Sequence, residues 1–248
     1  MAGILTEKEY EIHYYEVDYK NRALITSLID YFGDIAIHQS ETLNIGMDYL
    51  KENNIAWILY KWDIKVKRYP KFREKIKIGT QPYGIKKFYA YRNFYILSED
   101  GEKIVTADSV WMLIDTVKRK PIKINGFLKN TFGLTDDDNK ILKIHKLNKI
   151  DKIDNEVDFR IRYSDIDTNG HVNNEKYAAW LIESVPLDIV LNHTLENIKI
   201  TYRKETKYGE TIKVLTKINH EDDKIVCIHK IVNVDKELTL GETIWRKS

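Results

Sequence analysis

Ser164-Asp165-Ile166-Asp167-Thr168-Asn169-Gly170-His171-Val172-Asn173-Asn174-Glu175-Lys176-Tyr177 belongs to the most densely polar stretch of the chain. Before it, residues 157–162 read as a short strand. After it, Tyr177, Trp180, Leu181, Ser184 and Val185 recur at helical spacing. The stretch is therefore the corner where a strand gives way to a helix expected near 174–190. Asn173 is placed to cap that helix, with Lys176 rather than Glu at the capping-box position. The first N–H groups of a helix lack internal partners and carry positive partial charge, so they can hold an oxyanion. Gly170 lets the backbone bend beside His171. Asp- and Asn-rich turns also cap helices with no chemistry attached. Composition alone leaves both readings open.

Working outward, the same order occurs earlier in the chain. Ile25, Leu28, Ile29, Phe32, Ile35 and Ala36 mark a first helix, expected near 24–40. A short strand near 10–15 precedes it, and strands near 58–66, 75–81, 88–96 and 104–114 follow. The second set is a strand near 157–162, the helix, and strands near 198–202, 211–218, 225–231 and 239–245. Tyr15-Glu16-Val17-Asp18 is similar to Ser164-Asp165-Ile166-Asp167, and Glu74-Lys75-Ile76-Lys77-Ile78 to Glu210-Thr211-Ile212-Lys213-Val214. Ala107 and Trp111 have the separation of Gly241 and Trp245. An internal duplication of an α+β unit follows, one copy over 1–118 and the other over 156–248, joined by 119–155. That connection is longer than an ordinary loop and is expected to carry structure of its own.

The totals remove several functional classes. The net charge is +2, from 40 basic and 38 acidic residues, too small an excess for an ordinary nucleic-acid binder. The single cysteine, Cys227, excludes an intrachain disulfide and a multi-Cys zinc site, and suits a reducing, cytoplasmic setting. No run approaches the roughly 20 apolar residues of a membrane span, and the N-terminus lacks the pattern of a signal peptide. Gly79-Thr80-Gln81-Pro82-Tyr83-Gly84-Ile85-Lys86 lacks the Gly-Lys-Ser/Thr ending of a phosphate-binding loop. There is no Gly-x-Ser-x-Gly and no His-Glu-x-x-His, so no metal and no cofactor are expected.

Asp-x-Asn-x-His-Val-Asn-Asn-x-x-Tyr, from Asp167 to Tyr177, resembles the signature of plant and bacterial thioesterases acting on acyl carrier protein (ACP). The downstream Tyr202-Arg203-Lys204-Glu205 is similar to the Tyr-Arg-x-Glu of the same family. The resemblance implies two tandem hotdog folds, each a curved antiparallel sheet around a central helix. It implies hydrolysis of medium- or long-chain acyl-ACP, with Asp167, Asn169, His171 and Glu205 as the catalytic group. Many plant members follow the Glu with Cys. Here that position is Thr206, which argues against a Cys–His nucleophile. Aligning Asp18 with Asp167 puts Lys20 opposite Asn169 and Arg22 opposite His171, so the first copy lacks the general base. Its expected role is to bind or shape the acyl chain.

An apolar slot is then needed, and Leu28, Ile29, Phe32, Trp57 and Trp111 are candidates to line it, although each could equally be ordinary core. Acylated ACP is the expected partner. Lys65, Lys67, Arg68, Lys71 and Arg73, or separately Lys118, Arg119, Lys120 and Lys123, are candidates to dock it. A homodimer stays open. Rival readings are an acyl-CoA thioesterase, a hotdog hydratase or dehydratase, and a non-catalytic acyl-binding module.

Overall fold

The computed structural model describes residues 3–135, 137–138, 140–167, 170–234 and 236–247. Asn169, one of the four expected catalytic residues, therefore lies outside the described residues. The chain divides into two compact units, one made of 1–60 with 67–144 and the other of 61–66 with 145–248.

The first unit contains β1 (Thr6–Glu11), α1 (Ile25–Thr42), α2 (Met47–Glu52), the first half of β2 (Ile55–Val66), β3 (Lys75–Lys86), β4 (Tyr89–Leu97), β5 (Lys103–Asp115), the two-residue β6 (Lys120–Pro121) and α3 (Gly126–Thr131). β1, β3, β4 and β5 pair antiparallel in that order, with Thr6 opposite Thr80, Ile78 opposite Ile96 and Phe94 opposite Ala107. Leu28, Phe32 and Ile35 lie along one face of α1 and are fully buried. That face packs on β3, and the Phe32 ring meets Phe94 at 5.1 Å. The expected connection is not a bare loop. β6 and α3 lie in it, and Ile124, Leu128, Phe132 and Leu134 share a buried cluster with Ile45, Ile85 and Leu113.

The second unit contains β7 (Asn155–Arg160), α4 (Asn174–Glu183), α5 (Leu187–Asn192), β8 (His193–Tyr202), β9 (Thr211–His220), β10 (Lys224–Asn233) and β11 (Lys236–Lys247). The strand order is β8-β11-β10-β9-β7, all antiparallel, with residues 61–65 of β2 pairing β8 at the other side. Tyr177, Ala178, Trp180 and Leu181 form the buried face of α4. Gly241 lets the helix approach β11 closely. A Cβ there would sit 2.3 Å from Cδ1 of Leu181.

Three local expectations change. The first strand ends at Glu11, because residues 14–16 turn into a 3₁₀ helix as Glu16 Oε2 accepts the His13 N–H at 2.6 Å. α2 carries no amphipathic pattern long enough to detect. The second helix is broken after Glu183. Pro186 has no N–H to donate and disfavours helical backbone at Val185, while Ser184 O accepts the Asn155 side chain at 2.8 Å.

The duplication reaches individual atoms. Trp111 Nε1 donates to Ser109 Oγ at 2.7 Å, and Trp245 Nε1 donates to Thr243 Oγ1 at 2.9 Å. Thr243 also contacts His229 Nε2 at 2.9 Å, while Thr216 and Ser184 hydroxyls face its Nδ1 at 3.0 and 3.2 Å. Burial without a countercharge pushes the His229 imidazole down to about 3. The unfolded chain takes up a proton near 6.5 and the folded one does not, so stability falls as pH drops below that value. We expect His229 to remove about 2 kcal/mol of stability between pH 7.5 and pH 5. Urea unfolding at the two pH values should show a smaller drop for His229→Gln than for the unaltered protein. Equal drops would refute this assignment.

Candidate active site

The strand-to-helix corner is built by nested turns. Asp165 ends a 3₁₀ turn (Tyr163–Asp165), and its carboxylate accepts the Arg162 backbone N–H at 2.8 Å and the Arg162 guanidinium at 2.8 Å. Burial works to raise the Asp165 pKa, but the Arg162 hydrogen bonds prevail and hold it below the usual carboxylate range. Its carbonyl accepts the Asn173 N–H at 2.8 Å. Asp165 is thus the residue that shapes the corner, a role the motif comparison did not bring out. The signal was available as an acidic residue three positions after the turn start, the spacing of a capping box.

Asp167 makes the next turn. Its N–H donates to His171 O at 2.7 Å, and its Oδ1 accepts the His171 N–H at 3.0 Å. Asn173 caps α4 as expected, its side chain accepting the Glu175 N–H at 3.4 Å. The Asn173, Glu175 and Lys176 N–H groups are all taken up in this corner, whereas among the described residues no group accepts from that of Asn174.

Glu205 follows β8 by three residues. Its Oε2 lies 3.3 Å from His171 Nε2, and the two side chains are each 43% exposed. A carboxylate can only accept, so this contact favours the proton on Nε2 and leaves the lone pair on Nδ1. Asp167, His171 and Glu205 thus share one corner of the second unit, with Asn169 outside the described residues.

Thr206 is buried and faces away from this pair. Its Oγ1 donates to Glu210 Oε2 at 2.7 Å, an oxygen that also accepts the Asn233 amide at 2.6 Å. The Thr206 bond, with those from Lys207 and Asn233, holds the Glu210 carboxyl below the usual range. We expect Thr206→Ala to keep kcat within about twofold and to cost about 1 kcal/mol of stability, the net worth of one hydrogen bond. Loss of turnover with an unchanged melting temperature would put Thr206 into the chemistry.

The first unit preserves the turn and replaces the chemistry. Asp18 N–H donates to Arg22 O at 2.7 Å, and Asp18 Oδ1 accepts the Arg22 N–H at 2.9 Å, as Asp167 does with His171. The Arg22 guanidinium then folds back on Asp18 Oδ2 at 3.1 Å and lies 5.8 Å from the centroid of the Tyr69 ring. Carried along the alignment of Glu74 with Glu210, Tyr69 stands opposite Glu205. An arginine–tyrosine contact thus replaces a histidine–glutamate pair.

The other expected site residues belong to this first unit. Leu28, Ile29 and Phe32 are buried on α1. Trp57 is partly buried against Phe132, ring centroids 6.3 Å apart, and Trp111 is tied to Ser109. Part of the expected basic docking set is already engaged. Arg68 makes two bonds to Glu74, at 2.9 and 2.7 Å, and Lys67 pairs with Glu102. Among the described residues no group of three or more His, Cys, Asp or Glu is arranged to hold a metal, and no helix is long and apolar enough to cross a membrane.

A central helix against an antiparallel sheet, met twice, with a polar corner kept in one copy and rebuilt in the other, defines a tandem hotdog protein. Residues 3–130 match the family described as the acyl-ACP thioesterase N-terminal domain, and residues 147–247 match the acyl-ACP thioesterase C-terminal domain. The chain belongs to the acyl-ACP thioesterase family. It is 26% identical to acyl-[acyl-carrier-protein] hydrolase FATB3 of Cuphea viscosissima, a chloroplastic protein, over 98% of this chain and 63% of that one. It is 24% identical to the chloroplastic palmitoyl-acyl carrier protein thioesterase of Gossypium hirsutum, over 98% of this chain and 64% of that one. The chain therefore spans just under two thirds of the length of these plant relatives. Its fold follows a Lactobacillus plantarum structure, provisionally described as an oleoyl thioesterase, with a TM-score of 0.93 and 26% identity over 99% of this chain and 97% of that one. The 12:0-ACP thioesterase of Umbellularia californica shares the fold with a TM-score of 0.85 at 22% identity, over 98% and 94% of the two chains.

Proposed function

We propose that the protein hydrolyses the thioester of a medium- or long-chain acyl group carried on ACP, releasing the free fatty acid and so ending chain elongation. The observation that carries this reading is the His171–Glu205 pair at 3.3 Å beside Asp167, at a helix start, in a chain of this family. A thioester carbonyl is electrophilic and a thiolate leaves readily, so the work lies in activating water and holding the oxyanion.

In this reading Glu205 fixes the Nε2–H tautomer and His171 Nδ1 takes the proton from water. Asp167 orients the cluster, with direct attack by its carboxylate as the variant mechanism. Asn169 orients the water or the carbonyl. The Asn174 N–H at the start of α4 is the oxyanion donor, worth roughly 3 kcal/mol at a site of this kind. The first unit, whose corner holds Arg22 and Tyr69, binds or shapes the acyl chain through residues such as Leu28, Ile29, Phe32, Trp57 and Trp111. The expected basic clusters dock the acidic carrier. We place the protein in the cytoplasm, where a lone buried Cys227 stays reduced, and a homodimer is open to test by light scattering.

The deciding experiment compares kcat/KM on acyl-ACP and acyl-CoA of matched chain length, reading thiol release. Preference for acyl-ACP supports the proposal. Preference for acyl-CoA transfers the same chemistry to the other carrier. Tight acyl binding with no thiol released would leave a binding module.

A further inference from the structure

His171 precedes α4 by three residues and Glu205 follows β8 by three, so each catalytic candidate hangs from the end of a different element. Their contact cannot hold itself. A pair of side chains this exposed contributes about 0–1 kcal/mol, less than the cost of ordering two loops. Something more deeply buried must fix the distance between the two loop anchors.

We propose that the Tyr202–Tyr177 pair is this clamp, and that the Tyr202 hydroxyl is a positioning residue for Glu205. The inference rests on the catalytic reading of the His171–Glu205 pair. Tyr202 is the last residue of β8, and its Oη donates to the carbonyl of Asn174, the first residue of α4, at 3.0 Å. That bond ties the strand end leading to Glu205 to the helix start following His171. Tyr177, one turn along α4, sets its ring against that of Tyr202 with centroids 5.5 Å apart and planes at 86°. Both rings are buried, Tyr177 to 4% exposure and Tyr202 to 9%. The strand end that leads to Glu205 is therefore tied to the helix start by a hydrogen bond and by the ring contact beside it.

The first copy supplies an internal control. Along the alignment of Asp18 with Asp167, Tyr177 falls opposite Leu28. Along that of Glu74 with Glu210, Tyr202 falls opposite Val66. Leucine and valine can fill a core but cannot tie two backbones together. The phenols occur in the copy that keeps the His–Glu pair and are missing in the copy that has lost it. Core filling alone gives no reason for that difference. A precise distance between His171 and Glu205 does, because misplacement of an acid–base pair by an ångström costs up to about 10²-fold in rate.

Tyr202→Phe removes the hydroxyl and keeps the ring. We expect kcat on acyl-ACP to fall about tenfold with KM within about twofold, because the clamp acts on the pair and not on carrier binding. In a Glu205→Gln background the same change should alter kcat less than about twofold, since there is no carboxylate left to position. Equal tenfold losses in both backgrounds, or no loss in the first, would overturn the clamp. If Tyr202→Phe does not fold, Tyr177→Leu, which removes the ring set against Tyr202 as in the first copy, must show the same dependence on Glu205. If Glu205→Gln itself leaves kcat unchanged, the catalytic reading fails, and that result is distinct from failure of the clamp.

Discussion

His171→Ala is expected to lower kcat by about 10²–10⁴-fold, the usual contribution of a positioned general base, with KM and melting temperature nearly unchanged. The geometry isolates the imidazole unusually well. The backbone N–H of His171, not its ring, closes the turn on Asp167 Oδ1, and alanine keeps that N–H. The ring is 43% exposed, so its removal opens no cavity, and loss of an exposed ion pair costs little stability. Thiol release from acyl-ACP under single turnover, beside a thermal melt, reads both quantities. A variant with more than half the native rate would remove His171 from proton transfer and leave Glu205 or Asp167 to activate water alone.

Asp167→Asn should cost about 10²-fold in kcat while leaving the fold intact, whereas Asp167→Ala should cost that and about 1 kcal/mol of stability as well. The separation follows from the two tasks of this side chain. Its Oδ1 accepts the His171 N–H, a task an asparagine oxygen performs equally well. The turn asks only for an acceptor oxygen at this position, and in the first copy Asp18 Oδ1 meets the same demand while Oδ2 takes the Arg22 guanidinium. An Asp167→Asn enzyme within about twofold of native activity would make Asp167 a turn residue only and would exclude attack by its carboxylate.

Much of this was legible in the chain before any coordinates. The helical spacing of Leu28, Phe32 and Ile35, the alternation in Thr211–Thr216 and the matched tryptophans Trp111 and Trp245 are local signals, and each element formed where its own side chains must be buried. The asparagine cap at Asn173 was local too. The proline break after α4 had a local signal that the run of apolar residues hid, since Val185 and Ile189 continue the helical spacing across it. Asp165 belongs to the motif by its position, but its work is to bond Arg162 and carry Asn173, which the motif alone does not reveal.

The sequence by itself determined that there are two copies of one α+β unit, and that the second keeps aspartate and histidine where the first has aspartate and arginine. Periodicity and chemical identity are properties of neighbouring residues, so no fold is needed to see them. Only the tertiary structure decided that Glu205 meets His171, that Thr206 turns away to Glu210, that Tyr69 stands against Arg22, and that two motif tyrosines touch. Those contacts join the end of one element to the start of another. They depend on strand register and on how closely a helix settles on its sheet, and both are set by the packing of the whole unit.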